Sequence, residues 1–148
     1  MNLKKLDMDY NIRGIPAEMV EGVWRFAEPF IKRALDHTFG EISANDLKAI
    51  CLTRDSQLWM IQHGTRIVGA GTTSIITYPQ MKVCRIVTLA GSQFDEWRDM
   101  AHTQIELWAE AQGCDGMEAY VRKGFVPKLI EIGYKHRYSV LHKSLKER

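Results

Sequence analysis

KVCRIVTLAGSQFDEWRDMAHTQIELWAEAQG, residues 82–113, changes its hydrophobic period part-way along, and that change decides the fold class. Lys82 to Ala90 reads as a strand. After Gly91 the apolar spacing lengthens from about 2 to about 3.6 residues, the shift from a pleated strand to a helix. Phe94, Trp97, Ala101, Ile105 and Trp108 then fall on one helical stripe, and Gly113 is placed to stop it. Ser92, three residues before Asp95, has the spacing of a capping box, so Ser92 is expected to cap this helix.

Working back toward the N-terminus, Gln57 to His63 and Arg66 to Thr77 are two further strands, the second rich in β-branched residues. Gly64-Thr65 and Tyr78-Pro79-Gln80 are the turns, so an antiparallel meander precedes the helix. Gly69 and Gly71 mark a bulge or a close backbone approach within the second strand. Further back, Ile15-Pro16 opens a helical pattern through Val20, Val23, Trp24, Ala27, Phe30, Ile31 and Ala34, with Pro29 expected to kink or split it near Glu28. A second helix starts at Ser43, paired with Asp46 at capping-box spacing, and runs through Leu47, Ile50 and Cys51 to end by Asp55.

On the C-terminal side follow a short strand at Met117 to Val121, a short helix with Pro127 near its start and Gly133 after its end, and a last strand from Tyr134 to about Lys143. This order predicts an α/β fold, one domain over residues 1–148, with a mixed, mostly antiparallel central sheet and helices on both faces.

The composition narrows the function. Twenty basic and 18 acidic side chains are interspersed to a net charge of +2, too balanced for a nucleic-acid binder. Lys123, Lys128, Lys135, Arg137, Lys143 and Lys146 are broken up by Glu118, Glu131 and Glu147. Met1 to Lys5 leads to Asp7 and Asp9 rather than to an apolar run, and no window has the length of a membrane span, so a cytoplasmic protein without a signal peptide is expected. Cys51, Cys84 and Cys114 are too scattered for a disulfide framework or a zinc site and read as reduced thiols, with Cys84 inert in mid-strand. No HExxH occurs, His102 and Glu106 form an i, i+4 pair on a solvated helix face, and no metal is expected. Gly69-Ala70-Gly71 opens like a dinucleotide fingerprint, but the strand pattern continues where a helix would be required. The four tryptophans lie on apolar patterns and are assigned to the core.

Three segments then carry a resemblance: Ile105 to Cys114, Tyr120-Val121-Arg122-Lys123-Gly124-Phe125, and Leu129 to Tyr134, with Gln57-Leu58-Trp59 and Ile75 to Pro79 in support. In these, and in the order of its elements, the chain resembles the GCN5-related N-acetyltransferases, and in particular the divergent acetyltransferase-like proteins of tailed phages and prophages. Phe125 stands where that group has tryptophan. The resemblance implies acetyl transfer from acetyl-CoA, as cosubstrate, to an amine. It places Val87, Thr88 and Leu89 along the pantetheine arm, Gly91, Ser92, Gln93 and Phe94 near the phosphates, and Arg122 and Lys123 at the border of the groove. Two departures stand out. The family's Q/R-x-x-G-x-G/A loop is absent, with Asp95 and Glu96 occupying the first helical turn, and Leu129 replaces the tyrosine that protonates the departing thiolate. Another group such as Tyr120 or Tyr134, or water, must then supply that proton. The resemblance equally implies a second reading: a non-catalytic phage protein, located in the host cytoplasm, that keeps the fold as a binding or assembly module with a phage protein partner.

Overall fold

The computed structural model describes residues 9–146. The readings made on Met1 to Asp7 and on Glu147 lie outside them. Five strands form one sheet in the order β1-β2-β3-β4-β5: β1 Tyr10–Ile15, β2 Gln57–His63, β3 Arg66–Thr77, β4 Lys82–Gly91 and β5 Gly116–Ala119. The first three pairings are antiparallel and β4 pairs with β5 in parallel. A parallel neighbour needs a crossover of a dozen or more residues. Helix α3, Phe94–Ala111, supplies it, and Gly113 ends that helix at φ 83, in the left-handed region.

Helices α1, Ala17–Leu35, and α2, Ala44–Leu52, cover one face of the sheet. Val20, Trp24, Ala27 and Ile31 of α1 and Leu47 and Cys51 of α2 close on Leu58, Met60 and Ala70. Ser43 caps α2 through the reciprocal box with Asp46, as its spacing predicts. On the opposite face Trp97 and Ala101 of α3 pack on Ile61 and Val68, and Ile105 and Ala109 pack on Trp59 and Cys84. The mixed sheet with helices on both faces is therefore present as expected. The glycines of β3 serve close approach: a Cβ on Gly69 would lie 2.8 Å from Trp97 Cζ2, and one on Gly71 would lie 2.6 Å from the Thr88 carbonyl oxygen.

One strand is added and three expectations are corrected. Strand β1 escapes the sequence reading because only Tyr10 and Ile12 mark its inner face before Pro16 begins the helix. Helix α1 runs unbroken through Pro29: the residue lies on the exposed side, where the Arg25 carbonyl that loses its donor is not shut away from solvent. Strand β5 is shorter than Met117 to Val121 and stops at Ala119. Tyr134 to Lys143 forms no strand. A cleft of about 430 Å³, walled by Glu106, Glu110, Asp115, Lys135 and Arg137, separates its first residues from β5. Strands must come within about 4.8 Å to bond. Tyr138 and Leu141 are consequently left 88% and 92% exposed.

Candidate functional site

Strands β4 and β5 lie side by side only from Val83↔Gly116 to Ile86↔Ala119. Past that point β4 continues to Gly91 with β3 as its partner, while the chain beyond β5 leaves the sheet. The cause of the parting is legible in the register with β3. Thr73 faces Ile86 and Thr72 faces Thr88, so Val87 is an extra residue in β4. Such a bulge bends its strand and re-aims the side chains that follow. Val87 packs toward the α1 core, the Thr88 hydroxyl meets that of Thr72 at 2.8 Å, and Leu89 turns to the Trp97 cluster on the other face. Among the described residues, the side of Val87 to Gly91 that faces β5 has no strand partner. The result is a V-shaped fork with main-chain polar groups along one wall.

The upper end of the fork is the start of α3, and here the structure corrects the capping expectation. Gln93, not Ser92, occupies the cap position, in the left-handed region at φ 56 and with no side-chain cap. Ser92 follows the last residue of β4 and is still tied to the sheet: its N–H donates to Val68 O at 2.8 Å, and its carbonyl accepts from Trp97 Nε1 at 2.8 Å. Extending the β4 ladder to Gly91 carries Ser92 too far back to reach the first helical N–H groups. Asp95 pairs with Arg98 at 3.1 Å and with Lys128 at 3.6 Å. The Tyr10 hydroxyl lies between Gln93 Oε1, 2.8 Å away, and the Glu96 carboxylate, and this partnership with Glu96 raises the Tyr10 pKa.

The lower wall continues from β5 through a 3₁₀ turn, Lys123–Phe125, into helix α4, Val126–Glu131. The Phe125 ring lies 6.2 Å from that of Phe94, bringing turn and helix against the start of α3. Arg122 and Lys128 both sit over Phe125, at 5.4 and 5.3 Å from the ring centre. Phe94 and Arg122 thus meet at Phe125, with Lys123 opening the same turn, while Gly91, Ser92 and Gln93 lead into Phe94 from Val87, Thr88 and Leu89 of β4.

The two tyrosines are not brought together. Tyr120 directly follows the last ladder residue of β5. Its hydroxyl accepts from Arg85 Nη2 at 3.1 Å, and the guanidinium lies 4.3 Å above its ring. Arg85 is held in turn by Glu118 at 2.7 Å, which also accepts from the Tyr78 hydroxyl at 2.9 Å. Arg85 neighbours Cys84 in β4, so its side chain emerges on the face opposite Cys84 and α3. Tyr134 lies on the α3 face, its hydroxyl 2.7 Å from His102 Nε2, and burial raises its pKa. His102 is only 8% exposed, a correction to its expected place on a solvated face: the ring fills the space between α3 and Tyr134, with Glu106 3.4 Å from Nδ1. Burial is the largest influence on His102 and lowers its pKa.

Burial likewise pushes the Cys84 thiol up to about 11, which suits the inert role expected of it. Among the described residues no cluster of side chains is suited to a metal, and no helix is long and apolar enough to cross a membrane. Sequence reasoning missed Arg85 and Glu118. The signal available was a charged residue at the centre of an apolar strand.

No family model matches the chain, and no curated protein matches it. Solved structures do. An aminoglycoside acetyltransferase from an uncultured soil metagenomic sample, determined with sisomicin, matches at a TM-score of 0.69 and 10% identity over 97% of this chain and 99% of that one. A predicted acetyltransferase of Clostridium acetobutylicum, determined with acetyl-CoA, matches at a TM-score of 0.67 and 12% identity over 95% and 99%. A GCN5-related N-acetyltransferase of Ralstonia eutropha matches at 0.66 and 13% identity over 92% and 99%. The chain has the fold of the GCN5-related N-acetyltransferases. At these identities the likeness is one of fold, and a fold alone does not set an activity.

Proposed function

We propose that this chain is an acyl-CoA-dependent N-acyltransferase that passes an acetyl group from acetyl-CoA to an amine. The observation that carries the reading is the bulge at Val87, which parts β4 from β5 and leaves a strip of main chain able to bond the amide-rich pantetheine arm. In the reaction the amine nitrogen attacks the thioester carbonyl carbon, the C–N bond forms, and the C–S bond breaks with its electron pair leaving on sulfur. The amine gives up a proton and the thiolate takes one up. Tyr120, at the point of the fork and oriented by Arg85, is the better placed donor for sulfur. Tyr134 is the weaker candidate, since its hydroxyl is buried against His102. Leu129 offers no proton. Holding the two reactants together in the fork supplies much of the remaining acceleration.

The acidic first turn of α3 favours a second reading, in which the chain keeps the fold as a non-catalytic phage-type binding or assembly module. Calorimetry with acetyl-CoA separates the two. Binding accompanied by a thermal upshift is expected, and an absence of both heat and shift at about millimolar ligand would remove the enzyme reading and leave the module.

A further inference from the structure

The start of α3 is a poor place for a diphosphate, and the question is what else at the mouth of the fork takes one. Asp95 and Glu96 put two carboxylates against a helix end whose favourable dipole is worth only about half a charge. The Ser92 N–H is already bound to Val68 O at 2.8 Å, and Gln93 and Glu96 are engaged by Tyr10. Across the mouth the balance is reversed. Arg122, Lys123 and Lys128 lie within seven positions of one another, and two of them are seated over Phe125. Arg122 and Lys123 are exposed and take part in none of the ion pairs among the described residues. Lys128 is shared with Asp95 at 3.6 Å, and Asp95 has Arg98 as a second partner at 3.1 Å, so Lys128 is free to change partners without stranding the carboxylate.

We infer that the phosphate-bearing end of the donor is held by Arg122, Lys123 and Lys128 around Phe125, and not by the N-terminus of α3. This rests on the acyltransferase reading, and the ligand class is a diphosphate-bearing pantetheine thioester. Arginine presents a planar fork that matches two phosphate oxygens, while lysine supplies a mobile point charge. The Phe125 face holds the Arg122 guanidinium and the Lys128 ammonium beside one another before the ligand arrives, which reduces the ordering required on binding.

The test compares acetyl-CoA with acetyl-pantetheine, which has the same arm and thioester but no phosphates. Affinities are measured by calorimetry for the wild type, for Arg122→Gln with Lys123→Gln, and for Asp95→Asn. The wild type is expected to prefer acetyl-CoA by about tenfold or more, as two or three charge-assisted contacts of this kind imply. The double variant should lose most of this preference, the remainder resting on Lys128, with its thermal midpoint unchanged because both residues are exposed. Asp95→Asn should strengthen acetyl-CoA binding alone. A preference that survives undiminished in the double variant, or that disappears in Asp95→Asn, overturns this inference and leaves the acyltransferase reading standing. A wild type without preference overturns it in the same way. If neither ligand binds, both fall together.

Discussion

The two ends of the fork are built from different materials. Its inner end, Val87 to Leu89 against β5, is a backbone device: a single extra residue in β4 opens the sheet, and almost any side chains of the right size permit it. Its outer end, from Gly91 to Asp95 and from Arg122 to Lys128, is a side-chain device, in which Arg122 and Lys128 gather at Phe125 beside an acidic helix start. The comparison teaches that a feature made by main-chain pairing and one made by particular side chains are under different physical constraints. Main-chain geometry is protected by every ladder bond around it, whereas exposed charges are held by little else.

If the inner end is where chemistry happens, Tyr120→Phe should produce the largest effect. Turnover of acetyl-CoA with a generic amine should drop by roughly 100-fold to 10,000-fold, the usual worth of a general acid. Tyr134→Phe should leave that rate nearly unchanged and lower stability instead. Steady-state kinetics on the two variants would reverse the assignment if the larger loss fell on Tyr134.

Backbone closeness at the inner wall gives the next effect. A Cβ on Gly91 would run into the Val68 carbonyl oxygen and lie 2.8 Å from Trp97 Cζ2. Gly91→Ala should therefore destabilise the protein by about 1 to 3 kcal/mol, as overpacking does, and chemical denaturation would show it. A neutral result would mean that the junction of β4 and α3 is looser than the fork requires.

The wall behind α3 adds a pH dependence. Burial lowers the His102 pKa in the folded state below its ordinary 6.5. The unfolded chain therefore binds the proton more readily, and stability rises with pH across that interval. His102 should cost the protein stability as pH falls below about 6.5. Melting curves at several pH values should show that slope weakened in His102→Gln, and an unchanged slope would transfer it to other groups.

The smallest expected effect is on Ser92→Ala, and it sharpens the contrast most. A serine cap is ordinarily worth about 1 kcal/mol. Ser92 contributes through its backbone N–H and carbonyl, which alanine retains, so the change should stay within about 0.5 kcal/mol by denaturation. A loss near the full value would restore Ser92 to the cap position in place of Gln93.

Taken alone, the sequence determined what periodicity and turn chemistry can encode. The bounds of β2 and β3, the capped α2, the long α3 and its stop at Gly113, and the tight glycines of β3 were all legible, because each depends on neighbours a few residues away. The segments that would form the fork could be named too, through the resemblance of Ile105 to Cys114 and of Tyr120 to Phe125. Tertiary structure decided the rest. Whether Ser92 caps depends on how far β4 stays paired with β3, and whether Tyr134 to Lys143 becomes a strand depends on an edge lying within reach. The bulge at Val87 exists only as a register against Thr72 and Thr73. Tyr120 and Tyr134 were equal candidates in one dimension, and the sheet put them on opposite faces. Pairing register and facing are relations between segments far apart in the chain, and no local pattern carries them.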